Sequence, residues 1–138
     1  MTSRFTDEEK SSFPYWFAHW CSYNMVALNL KAWKFKYLFH DFEKPWLKLI
    51  FKDYLKVRKF HRKYNRHHLA YKNRYKIDWE AAVIDWECSR YTKASVGRNA
   101  REMYEYFIGP RYERGIIDEE MKNLIETNVP PILEKLGL

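Results

Sequence analysis

Cysteine is scarce in this chain, and so is any long uncharged apolar run. The 138 residues hold only Cys21 and Cys88. They have neither a CxxC spacing nor the density of a disulfide scaffold, which excludes a small fold stapled by disulfides and leaves two reduced thiols in structural positions. No eighteen apolar residues run together without charge, which argues against a transmembrane helix. Met1-Thr2-Ser3-Arg4-Phe5 is not followed by a signal-peptide core. The expectation is a soluble, cytoplasmic protein with no membrane partner. Strand-like alternation is nowhere sustained, and no repeat, linker or low-complexity tract divides the sequence. Histidine is missing from the C-terminal half: the five are His19, His40, His61, His67 and His68.

What is present is apolar and aromatic. With 46% apolar and 19% aromatic residues, including six Trp and eleven Tyr, the chain has ample material for one core, which excludes disorder. The large amphipathic rings are expected partly at the edge of that core, some of them lining a groove. The fold class read from the pattern is all-α, a single-domain helical bundle over residues 1–138. Ser12 and Pro14 open a helix from Tyr15 to about Leu30, which continues or breaks before Phe39. Pro45 opens a second long helix to about Tyr64, and an irregular crossing follows through Lys76. Asp78 caps a helix from Trp79 to about Thr92, and Gly97 separates it from a helix over Arg98 to Phe107. Gly109-Pro110 marks a turn. Asp118 caps a helix from Glu119 towards Asn128, and Pro130-Pro131 is expected to break or kink the last segment.

Charge is unevenly spread. Between Lys48 and Lys76 stand eleven Lys and Arg against one acid, Asp53, more than the whole net charge of +7. Lys48, Lys52, Lys56, Lys59 and Lys63, at steps of three and four, draw one cationic stripe along a helix. Leu47, Ile50, Phe51, Tyr54, Leu55, Val57 and Phe60 supply its apolar positions. Such a stripe reads either as a solvated face or as an attractor of a polyanion.

The densest chemistry lies in Tyr37-Leu38-Phe39-His40-Asp41-Phe42-Glu43-Lys44. Imidazole and carboxylate are common ligands of hydrolytic metals, and a Lys three positions after the Asp can hold a phosphate oxygen. On a regular helix His40 and Asp41 point about 100° apart, so a shared ion would sit at the flank between them. His61 and His68, seven apart, would lie about 10 Å apart along an unbroken helix, so one lies outside the coordination sphere unless the chain breaks near Asn65. Asp85 borders the apolar face of Trp79, Val83 and Trp86, where a carboxylate needs a cation, a metal or hydrogen-bond donors. His19, in Ala18-His19-Trp20, reads as a ligand or as a buried structural histidine.

The order His19, His40-Asp41 with Lys44, then Asp85 resembles the H…HD…D pattern of the HD-domain superfamily, helical metal-dependent phosphohydrolases that often act on nucleotides. Three segments sharpen the likeness: His40-Asp41-Phe42-Glu43-Lys44, then Asn65-Arg66-His67-His68-Leu69-Ala70-Tyr71, then Asp85-Trp86-Glu87-Cys88-Ser89. Together they look like a family of small uncharacterised bacterial and phage proteins. The likeness covers about residues 18–106 and leaves C-terminal helices over 107–138 outside it. The chain departs from that family at Glu43, where Ser is usual, and at Pro45, where Phe is usual.

The resemblance implies His19, His40, Asp41 and Asp85 as metal ligands, with Lys44 near a phosphate. His61, His67 and His68 would bind a second ion or contact the scissile phosphate. Asp41, Lys44, His67 and His68 would form the catalytic set, and Lys44, His61 and Arg66 would hold substrate. The implied cofactor is a divalent ion, Mn, Fe, Co, Ni, Zn or Mg. The implied activity is phosphohydrolysis of a nucleotide or related phosphate ester. Two alternatives stand beside it: a non-catalytic nucleotide- or nucleic-acid-binding protein, and a phage or host-interaction protein with an acidic partner.

Overall fold

The aromatic run after Pro14 forms the first long helix, α1 (Phe13–Asn29), in a computed structural model that describes residues 13–91 and 98–138. Ser12, Thr92 and Gly97, expected as a cap, a helix end and a separator, lie outside the described residues. Lys31 ends α1 in the left-handed region, with φ 56°, and Ala32 N–H closes back on Ala27 C=O at 2.9 Å. A 3₁₀ turn over Phe35–Phe39 then carries the chain to His40. Helix α2 (Lys44–Phe51) takes Pro45 into its first turn, where the missing N–H costs nothing. Next come α3 (Tyr54–Tyr64), the irregular stretch anticipated after it, and α4 (Trp79–Ser89). The last two helices are α5 (Ala100–Tyr106) and α6 (Glu119–Leu136). Among the described residues there are helices and no strands, so the all-α bundle read from the sequence is the fold.

Helix α4 is the centre of the bundle. Every residue from Ala81 to Ser89 is buried, because α1 packs on one side of it and α6 on another. Tyr23 and Ala27 of α1, Val83 and Ile84 of α4, and Ile125, Val129 and Leu133 of α6 belong to one cluster. The capping carboxylates sit where the sequence suggested. Asp78 accepts from Ala81 N–H at 3.2 Å and Asp118 from Met121 N–H at 2.8 Å, each satisfying an otherwise orphaned donor of a first turn.

Five expectations are corrected. The helix from Pro45 to Tyr64 is two helices: Lys52 turns left-handed with φ 55°, and Asp53 restarts the chain by accepting from Leu55 N–H at 3.0 Å. An N-cap residue inside a periodic pattern was the overlooked signal. The cationic stripe is thereby split, with Lys48 on α2, Lys52 at the break, and Lys56, Lys59 and Lys63 on α3. Of its apolar positions only Leu47 and Val57 are buried, while Ile50 and Leu55 are exposed.

Gly109-Pro110 does not turn the chain. The helix widens into a π-turn over Phe107–Arg111 that absorbs Pro110, since the wider winding spares the proline an i→i−4 bond. The stop comes at Gly115, with φ 71°, where Ile116 N–H reaches Arg111 C=O at 3.0 Å. Helix α4 ends at Ser89. Pro130-Pro131 does not break α6. Each interior proline costs about 3 kcal/mol. The unbroken stripe Met121, Ile125, Val129, Leu133 and Leu136 is buried, and about 1.5–3 kcal/mol per side chain outweighs that cost. No helix of the described residues is long and apolar enough to cross a membrane.

Candidate metal centre

The site begins with a backbone irregularity. His40 closes the 3₁₀ turn with its N–H on Tyr37 C=O, and Asp41 follows in the left-handed region, φ 55°. A non-glycine residue held there is uncommon and costs of order 1–3 kcal/mol, so the surroundings must fix it. Trp16 Nε1–H donates to Asp41 C=O at 2.7 Å, and Lys44 N–H to the same carbonyl at 3.1 Å. The kink removes the divergence of about 100° that a regular helix would impose on neighbouring side chains. His40 and Asp41 instead converge, with His40 Nε2 3.5 Å from Asp41 Oδ1. The Tyr23 ring lies parallel to the His40 imidazole at 3.6 Å between centroids and holds it in place.

Four other elements deliver ligand atoms to the same point. From α1, His19 Nε2 lies 3.1 Å from His40 Nε2 and 3.4 Å from Asp41 Oδ2. From α4, Asp85 Oδ1 lies 3.0 Å from His19 Nε2 and 3.2 Å from His40 Nε2. From α3, His61 Nε2 lies 3.0 Å from Asp41 Oδ1. The chain does break at Asn65, so His68 folds back to set its Nε2 2.8 Å from His61 Nε2, and His67 Nε2 reaches Asp41 Oδ1 at 3.1 Å. Arg66 is the exception among the expected site residues. Its Nε donates to Lys76 C=O at 2.8 Å, and it does not line the cavity beside the cluster. The cavity wall carries instead Arg62 and Arg58 of α3, four and eight residues earlier in the chain.

These spacings suit ions. A metal with ligands at about 2.0–2.1 Å sets neighbouring ligand atoms about 3.0–3.4 Å apart, depending on geometry. Among the described residues, four groups bring their ligand atoms within 4.8 Å of one another: His19, His40 and Asp41; Asp41, His61, His67 and His68, which shares Asp41 with the first; His19, Asp85 and Cys88; and His40, His67 and Asp85. Asp85 joins the first group through His19 and His40. Asp41 Oδ1 and His67 Nε2 are buried without a hydrogen-bond partner, a costly arrangement for a carboxylate oxygen and a ring nitrogen unless a cation takes both.

Protonation supports the same role. Burial pulls the His40 pKa down to about 4, so the ring is neutral at physiological pH and its lone pair is free. Burial, then the neighbouring His67 and His61, push His68 down in the same way. Burial alone would neutralise Asp41, but His40, His61 and Lys44 outweigh it and hold the carboxyl well below its ordinary range. At Asp85 burial is likewise outweighed, first by the hydrogen bonds from His19 and His40. Lys44 Nζ stands 2.8 Å from Asp41 Oδ2. Burial would strip its proton, but Asp41 outweighs burial and the pKa is raised.

Two supporting residues escaped the sequence reading. Glu43 pairs closely with His61 Nδ1, and Asn65 Nδ2 donates to the same Glu43 carboxylate at 2.6 Å. A carboxylate behind a ligating imidazole fixes its tautomer and aims the other nitrogen. The adjacency of Glu43 to the His-Asp pair was the only hint. Cys88, expected as a structural thiol, is buried with Sγ 3.9 Å from His19 Nδ1 and 3.2 Å from Asp85 C=O, and its thiol forms a further group with His19 and Asp85 that could hold an ion.

A cavity of about 610 Å³ opens over the cluster. His19, Asp41, Lys44, His61, His68 and Asp85 form part of its wall, Trp16 and Tyr54 add aromatic faces, and Lys48 and Lys52 add charge. The chain matches no protein-family model, no curated protein and no solved structure.

Proposed function

We propose that the cluster is a divalent-metal centre of HD-domain type with Asp41 shared between two ions, and that the protein hydrolyses a small phosphate ester, a nucleotide or a close relative. The observation that carries this reading is the buried pair Asp41 Oδ1 and His67 Nε2, 3.1 Å apart without an aligned hydrogen bond, at the junction of the two histidine groups. His19, His40 and Asp85 would hold one ion and His61, His67 and His68 the other. Divalent ions held there supply water of lowered pKa and neutralise charge on phosphoryl oxygens.

The protein's own groups fit the rest of the task. Lys44 remains cationic beside Asp41 and faces the cavity, where it can steady a phosphoryl oxygen as charge spreads over the transferring group. Lys48 and Lys52 extend that positive wall outward, and Trp16 and Tyr54 offer ring faces to a base. Metal analysis of protein purified without a histidine tag, followed by a screen of nucleoside mono-, di- and triphosphates, tests the proposal. Bound metal with phosphate release that EDTA abolishes is the expected result. Protein that takes up no divalent ion under metal-replete conditions refutes it.

A further inference from the structure

A second cavity, of about 500 Å³, adjoins the first and shares Arg58, Arg62, His68, Asp85 and Ser89 with it. Its wall is rich in arginine. Arg98 and Arg111 line it together with Arg58 and Arg62, and none of these four has a carboxylate partner among the described residues. The acids nearby are already engaged: Asp118 caps α6 and pairs with Arg74 at 3.0 Å, and Asp85 faces His19 and His40.

Two of the guanidinium groups, those of Arg98 and Arg111, lie against rings. Arg98 lies over the Tyr106 ring at 3.9 Å, and Arg111 over Phe107 at 5.3 Å and Tyr106 at 5.6 Å. Stacking fixes the plane of a guanidinium while leaving its edge N–H donors unspent, the arrangement that bidentate phosphate recognition uses. One donor is left over even inside the protein: Arg111 Nε is buried with no hydrogen-bond partner. Arg58 and Arg111 also act as like charges on Arg62. Four arginines unpaired with carboxylates on a concave wall, whose two acids Asp85 and Asp118 are engaged elsewhere, create a positive field that an anion would relieve.

We propose that this arginine-lined cavity is an anion subsite that binds a phosphoryl group beside the metal centre. The subsite needs no ion in the histidine cluster. The phosphoryl group comes either from a separate small ligand or from the far end of a molecule whose other phosphate reaches the metal centre.

Calorimetric titration of pyrophosphate into the full chain, first treated with EDTA and dialysed, tests it without the metal. Binding is expected, weakened at least fivefold by Arg111→Gln and at least tenfold by Arg58→Gln with Arg98→Gln, two exposed positions whose change spares the core. Lys56→Gln with Lys59→Gln removes as much charge from positions that line neither cavity and should change affinity less than twofold. Repeating the titration after loading with Mn separates the two sources: tighter binding marks one molecule spanning both sites, and unchanged binding a separate ligand. Absence of pyrophosphate binding at low salt, or equal weakening by the lysine and arginine pairs, overturns the proposal. Neither result bears on metal uptake, which is measured independently.

Discussion

Asp41 Oδ1 and His67 Nε2 lie 3.1 Å apart in the interior, and neither is aligned as a hydrogen bond with any described residue. Two such atoms facing each other would ordinarily be an expensive flaw. They make sense as two ligands of one ion, and the left-handed backbone at Asp41 is what turns that carboxylate towards His67 as well as His40.

Glu43 should matter to the metal without touching it. Replacing Glu43 by Gln keeps the shape but removes the charge behind His61 Nδ1. Loss of such a partner typically costs about 10–100-fold in metal affinity. Competition with a chromophoric chelator would read the change, and an unaltered affinity would remove His61 from the ligand set.

The prolines of α6 give a test of the fold. Pro131 is exposed and interrupts the backbone ladder of a helix that runs through it. Pro131→Ala should therefore stabilise the protein, by about 1–3 kcal/mol in urea unfolding, since an interior proline costs about 3 kcal/mol and part is already relaxed away. Destabilisation by this substitution would mean that the ring makes contacts worth more than the missing bond. Ile125→Ala, on the fully buried face of the same helix, should instead cost about 2–5 kcal/mol.

Asp78 links stability to pH. Burial favours its neutral form, but the Lys36 ammonium and the Ala81 amide outweigh burial and lower its pKa. A lowered carboxylate pKa contributes stability that is complete above the ordinary carboxylate range and is lost as pH falls through the lowered value. Asn at this position can still cap α4 but cannot pair with Lys36. The stability gap between wild type and Asp78→Asn should thus be widest near neutral pH and close on acidification; a gap independent of pH would show that the charge contributes nothing.

Much of this was legible before the structure. Asp78, Asp118 and Pro45 announced helix starts because capping and first-turn chemistry are local. His19, His40, Asp41 and Asp85 stood out as a set only through the resemblance of their order to the H…HD…D pattern, and the structure brings the four side chains together. Convergence itself was not, since it rests on the φ of Asp41 and on the break at Asn65, neither of which periodicity encodes. Pro130-Pro131 misled for the opposite reason: the local rule was sound, but burial of Ile125, Val129 and Leu133 overrode it. Arg66 looked like a phosphate cation, and its engagement by the Lys76 carbonyl depends on a fold of the loop that the sequence does not display.

The most direct test of the shared-carboxylate centre is metal content by mass spectrometry, on untagged protein reconstituted with Mn or Fe and desalted. The wild type should retain about two ions per chain, as expected of a two-metal site. Asp85→Asn and His68→Gln, which touch one of the two proposed ions each, should retain about one, and Asp41→Asn, which touches both, should retain none while keeping helical circular dichroism. Wild-type protein that holds no metal, or Asp41→Asn protein that holds as much as wild type, would contradict the account.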